Sequence, residues 1–174
     1  DVSFDNDGII ASKFDSSNDL CSKVLIQPDD KLITIGVKKT VTMNTIGKEL
    51  IAMSRTNTDG SLDTTFGTNG KLVSDLGQDY SKIKNATLQL DGKILVSCEI
   101  ATFGGSNENY LIRYNNNGSL DMTFGNNGRT TLDYVTSIIP LLNGKIIIAT
   151  EIFDAQNNPF LNLKRLNNDG SLDS

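Results

Sequence analysis

Apolar positions in this chain come in short runs rich in Ile, Val, Leu and Thr, bounded by Gly, Asn and Asp. Runs of this kind read as β-strands. They recur as four sets: 9–14, 71–76 and 129–133; 22–27, 82–89 and 135–141; 31–37, 93–100 and 145–153; and 48–55, 109–114 and 160–166. No window sustains a 3.6-residue period, so no helix of consequence is expected. Runs of the third set are apolar on both sides, with Ile94, Val96 and Cys98 pointing one way and Leu95 the other. An antiparallel sheet with one wet face alternates more cleanly. Burial on both faces implies four-stranded sheets stacked around an axis, the arrangement of propeller blades.

A polar motif separates the sets. Asp59-Gly60-Ser61-Leu62-Asp63-Thr64-Thr65-Phe66-Gly67-Thr68-Asn69-Gly70 returns as Asn117-Gly118-Ser119-Leu120-Asp121-Met122-Thr123-Phe124-Gly125-Asn126-Asn127-Gly128. Its first half recurs at 169–174 and its second half at 1–8, so the ends look like parts of a fourth copy. Periodicity of this size marks a repeat architecture, whose units bury their apolar faces against neighbours. The expected organisation is all-β: one propeller unit of three four-stranded antiparallel blades, at about 1–62, 63–120 and 121–174. Known rings hold about four to eight blades, so a second chain or further blades must complete this one. Pairing of two copies by two-fold symmetry, with Leu172-Asp173 meeting residues 1–4 of the other chain, would give six blades. Asp91-Gly92 and Asn143-Gly144 predict type I′ hairpin turns, and Asp29-Asp30 predicts a less regular one.

Composition then excludes several functions. The 174 residues carry 16 Lys and Arg against 21 Asp and Glu, a net charge of −5, with no basic run. That argues against a nucleic-acid partner. No apolar run is long enough for a membrane-spanning helix. The chain starts at Asp1 without a signal peptide, as a cytosolic or a trimmed mature protein would. Cys21 and Cys98 occupy non-equivalent repeat positions and read as free thiols, buried or half-buried. The absence of His removes Ser-His-Asp and Cys-His arrangements and the usual zinc ligands. No cofactor motif is present, and Gly104-Gly105 lacks the Lys-Ser/Thr of a phosphate loop.

The repeated motif, followed downstream by Gln-x-Asp-Gly-Lys-Ile, resembles the delta-60 repeat family. Matching positions are Gly60, Leu62, Asp63, Phe66 and Gly70, then Gly118, Leu120, Asp121, Phe124 and Gly128. Departures are Asp5, Asp30 and Leu141-Leu142. The resemblance implies propeller repeats of large bacterial surface and secreted proteins, hence an extracellular or cell-surface location, and it implies no catalytic set.

Leu62, Asp63, Phe66, Leu120, Asp121 and Phe124 read as structural, the Leu and Phe side chains plugging a seam between blades and the Asp side chains capping turns. A calcium reading of the acidic loops lacks the alternating oxygen ligands of an EF-hand, so no metal is expected. Loops that vary between repeats share one rim, where binding faces are found. Tyr80, Phe103, Asn107, Phe153, Asn157 and Asn158 lie in or beside them as candidate ligand contacts. Three functions are consistent with this pattern. The first is a non-enzymatic interaction or adhesion platform for protein partners, and the second a lectin-like, carbohydrate-binding propeller. The distant third is a glycoside-active enzyme using paired carboxylates.

Overall fold

A computed structural model describes residues 4, 8–11, 13–14, 19–40, 47–77, 79–102 and 104–174. Among these every regular element is a strand: β1 (Leu20–Ile26), β2 (Leu32–Lys39), β3 (Glu49–Thr56), β4 (Lys71–Ser74), β5 (Tyr80–Leu88), β6 (Ile94–Ala101), β7 (Glu108–Tyr114), β8 (Arg129–Leu132), β9 (Tyr134–Pro140), β10 (Ile146–Phe153) and β11 (Pro159–Leu166). They form three antiparallel sheets, ordered β1-β2-β3-β4, β5-β6-β7-β8 and β9-β10-β11, called sheets 1, 2 and 3 below. The chain divides into two compact units, Asp1–Ser81 and Lys82–Ser174. Among the described residues no helix is long and apolar enough to cross a membrane.

One grouping differs from the sequence reading. The run after each motif closes the sheet before it, because β4 pairs with β3 and β8 with β7. The motif itself causes this. It folds back across the end of β3, with the Asp63 amide donating to the Arg55 carbonyl (2.9 Å) and the Arg55 amide to the Gly70 carbonyl (3.0 Å). The chain therefore re-enters beside the strand it has just left. The turns before the lysines also differ. The Gln89 amide donates to Lys93 and the Gly92 amide to Gln89, so three residues form the loop. Only the last of these, Gly92, has positive φ, which is a type I turn with a bulge rather than type I′. Asp30, at φ 60°, makes the same turn with the same two bonds, so the first turn is as regular as the others. Asp tolerates this left-handed backbone because its short polar side chain bonds locally.

In the first unit, Ile33, Ile35, Ile51 and Met53 share one fully buried face of sheet 1. The opposite face is built of small residues, Thr34, Gly36, Ala52 and Ser54, beneath a cavity of about 130 Å³ that Phe14 and Cys21 also line. In the second unit, sheets 2 and 3 pack face to face. Leu95, Leu111 and Phe124 of the former meet Val135, Ile138, Ile146, Ile148 and Leu166 of the latter. Burying one such side chain contributes about 1.5–3 kcal/mol.

Candidate functional site

The repeated acidic residue is the centre of a cluster built the same way each time. Lys31 follows the β1–β2 turn, Arg55 is the penultimate residue of β3, and Asp63 lies in the motif that folds back over the end of that strand. The Asp63 Oδ2 accepts from Lys31 Nζ (2.8 Å) and Arg55 Nε (2.8 Å). Its Oδ1 accepts from the Thr65 amide (3.0 Å) and hydroxyl (2.6 Å). The Arg55 guanidinium lies 4.9 Å from the Phe66 ring centre. In the second unit Asp121 meets Lys93 (3.0 Å) and Arg113 (2.7 Å), Thr123 caps it, and Arg113 lies 4.5 Å from Phe124. A third set, Lys145, Arg165 and Asp173, has the same ion pairs.

Hydrogen bonds from Lys31 and then Thr65 hold the Asp63 carboxyl well below its ordinary range, with Arg55 adding charge attraction. Burial works to raise the Asp121 pKa, but Thr123, Lys93 and Arg113 together outweigh it and leave the group lowered as well. Both carboxylates are therefore ionised, with both oxygens already engaged, and neither can serve as a general acid near neutral pH. The neighbouring loop oxygens are similarly occupied: Asp59 Oδ1 accepts from the Ser61 amide (2.9 Å) and hydroxyl (2.6 Å).

A pH dependence follows from these shifts. The folded pKa lies below the unfolded value of about 3.9, so the stabilisation is complete above that value and lost as the pH falls through the folded one. Melting temperature should stay level from neutral pH to about 5 and fall below about 4. In an Asp63→Asn/Asp121→Asn variant it should be lower at neutral pH and fall less steeply in acid. Differential scanning fluorimetry across pH 2–7 checks this, and equal acid limbs for both proteins would contradict it.

The variable rim is less ordered chemically. In the second unit Asn107 donates to Glu99 (2.7 Å), Glu99 pairs with Lys84 (2.8 Å), and the Lys84 ammonium lies 4.6 Å from the Tyr134 ring. Phe153 is exposed at the end of β10. Asn158 is taken up in the β10–β11 loop, where its amides bond the Asp154 carboxylate (2.8 and 3.1 Å), while Asn157 sits at φ 64°. Phe153, Asn157 and Asn158 thus share one hairpin end, and Asn107 lies in the loop joining β6 and β7. Tyr80, half-exposed at the start of β5, belongs to the first unit. Phe103, with Asp1, Val2 and Asp5, lies outside the described residues. Leu62 and Leu120 are half-buried, each against the closing glycine of its own motif, Gly70 or Gly128. Phe66 and Phe124 have no exposed surface.

Sequence reasoning overlooked the basic residues. Their signal was present: an Arg stands eight residues before each motif Asp, at 55, 113 and 165, and a Lys follows each turn at 31, 93 and 145. Antiparallel sheets of three and four strands, joined by a motif that locks strand end to turn, define a β-propeller repeat protein. The family model described as "Domain of unknown function (DUF5122) beta-propeller" matches residues 27–66, 89–124 and 142–174, and the chain belongs to this family. No curated protein and no solved structure matches the chain.

Proposed function

We propose that this chain is a non-enzymatic interaction platform of three propeller blades, displayed at a bacterial surface or secreted, that binds through its variable rim. One observation carries the reading. The chemistry repeated in every sheet is consumed in holding strand ends together, since Asp63 and Asp121 have both oxygens bonded by their own sheet's Lys, Arg and Thr. Residues left for a partner are those that vary, with Phe153 exposed beside the Asn157 turn. An exposed ring next to amide groups also suits a sugar face, which favours a lectin-like role as the second reading.

Binding assays with immobilised chain against a glycan array and against extracellular proteins separate the two readings. Phe153→Ala combined with Asn157→Gly, which keeps the left-handed backbone, should weaken binding at least about tenfold without lowering the melting temperature. Hits confined to glycans select the lectin reading. Binding unaffected by the rim substitutions, or turnover of a glycoside substrate by the purified chain, would overturn the platform reading.

A further inference from the structure

Sheet 1 carries small side chains where sheets 2 and 3 carry larger ones, and a buried hydroxyl lines the space they leave. Thr34 pairs across the strands with Ser54, and Gly36 with Ala52. At the same distances from the turn lysine and the motif aspartate, sheet 2 pairs Val96 with Ile112 and Cys98 with Tyr110. Sheet 3 pairs Ile148 with Lys164 and Thr150 with Asn162. Protein interiors are close-packed, and unfilled space lowers stability. In sheet 1 that space is the cavity of about 130 Å³, whose lining belongs wholly to the first unit. Ser54 lines it, is only 1 % exposed, and its Oγ has no hydrogen-bond partner. A buried hydroxyl left unpaired keeps its full desolvation cost. Two unfavourable terms thus fall at one place, where a Val and Ile pair, as in sheet 2, would remove both.

The cavity walls are held by the chain itself. β1 has a bulge between Cys21 and Lys23. Beside it the β1 backbone passes so close to β2 that a Cβ on Gly36 would lie 1.9 Å from the Leu20 carbonyl oxygen. Bulges re-aim side chains and are frequent beside functional sites. The Phe14 wall is tied in a different way. Its amide donates to the Asp19 carboxylate (2.9 Å), and the Lys71 ammonium lies 5.7 Å from its ring centre. The same Lys71 also bonds the Lys13 carbonyl.

We propose that this cavity binds a small, flat, uncharged ring bearing a hydroxyl group, which hydrogen-bonds the Ser54 Oγ. Size sets the first limit, since an apolar cavity of about 150 Å³ takes a benzene ring. Shape sets the second. Gly36 and Ala52 form a floor without long side chains, and Phe14 supplies an aromatic wall against which a ring can pack. Charge sets the third. Asp19 is the one charged residue of the lining and repels an anion. A cation reaching Ser54 would exchange water for a neutral hydroxyl, which does not compensate its desolvation. A neutral hydroxyl on the ligand can both donate to and accept from Ser54. The site shares no residue with the variable rim, so this binding is additional to the platform role.

Ligand-observed NMR titrations of the full chain with phenol and with benzene test it. Phenol should bind saturably with a Kd on the order of 1 mM, and benzene about tenfold more weakly, because it leaves Ser54 unpaired. Ser54→Ala should weaken phenol about tenfold and remove its advantage over benzene. The melting temperature of that variant without ligand should hold or rise, since the hydroxyl removed had no partner, whereas a serine with a structural role would lower it. Ser97→Ala, the same change at a buried unpartnered hydroxyl of the second unit, should leave phenol binding as it was. Thr34→Val/Ser54→Ile, the side chains of sheet 2, should fill the cavity and abolish binding. Should that variant fail to fold, Ser54→Ala alone carries the readout. Absence of saturable phenol binding, as in a cavity that holds water only, overturns the proposal. So does equal affinity for benzene, or binding indifferent to Ser54→Ala. None of these results bears on the rim, whose assay reads Phe153 and Asn157.

Discussion

Replacing Phe124 with alanine should destabilise the protein by about 3–5 kcal/mol, the range for deleting a buried aromatic side chain. The ring has no exposed surface and belongs to the core shared by sheets 2 and 3. Collapse around the vacancy is restricted on two sides. The Arg113 guanidinium is stacked 4.5 Å from the ring centre, and it is itself fixed by Asp121 and by the Asn168 carbonyl. From sheet 3, Gly170 approaches so closely that a Cβ there would lie 2.9 Å from the ring. A Gly170→Ala change should therefore destabilise as well, by crowding rather than by a cavity, and its φ of 85° adds backbone strain. Urea titration of both variants measures the effects. A loss below about 1 kcal/mol for Phe124→Ala would mean that this seam does not hold the sheets together.

A comparably large effect is expected from removing Asp121. Asp121→Ala leaves Arg113 charged, 2 % exposed and without its carboxylate, and it deprives Lys93 of the same partner. Breaking one side of a buried ion pair costs about 3–5 kcal/mol, because the remaining charge stays desolvated. Removing both charges, as in Arg113→Met/Asp121→Leu, should cost less than the single change, since a buried pair repays little more than its own desolvation. The double-mutant cycle measured by denaturant unfolding gives the sign directly. A double variant as unstable as Asp121→Ala would show that the hydrogen bonds of the cluster, to Thr123 and Asn168, outweigh the charge pairing.

The strands were legible because each apolar run is bounded by residues that favour turns. The run expected at 93–100 is β6, Ile94–Ala101, and that expected at 160–166 is β11, Pro159–Leu166. Burial on both sides of β6 was equally legible: Ile94, Leu95, Val96 and Cys98 are all buried. Strand grouping was not, since β4 reads the same whether it opens a sheet or closes one. Only the backbone bonds of the motif, Asp63 to Arg55 and Arg55 to Gly70, decide the matter. Asp30 misled for a similar reason. The residue lacks the freedom of Gly, yet the bonds from Gln27 to Lys31 and from Asp30 to Gln27 hold it in the turn made by Gly92.

What the sequence determined by itself is whatever depends on local pattern: the strands, the absence of helix among the described residues, the repeat, and the family whose model its residues match. Spacing in the chain carries that information because strand, turn and motif are each satisfied within a few residues. What only the tertiary structure decided is which side chains converge. Lys31 is far in sequence from Arg55 and Asp63, and the three meet because a hairpin and a folded-back motif end at the same point. Cys21 lies ten residues before Lys31 as Val135 does before Lys145, and one is exposed where the other is buried. Burial depends on whether a neighbouring sheet is present to exclude water, and no residue's own position in the chain records that.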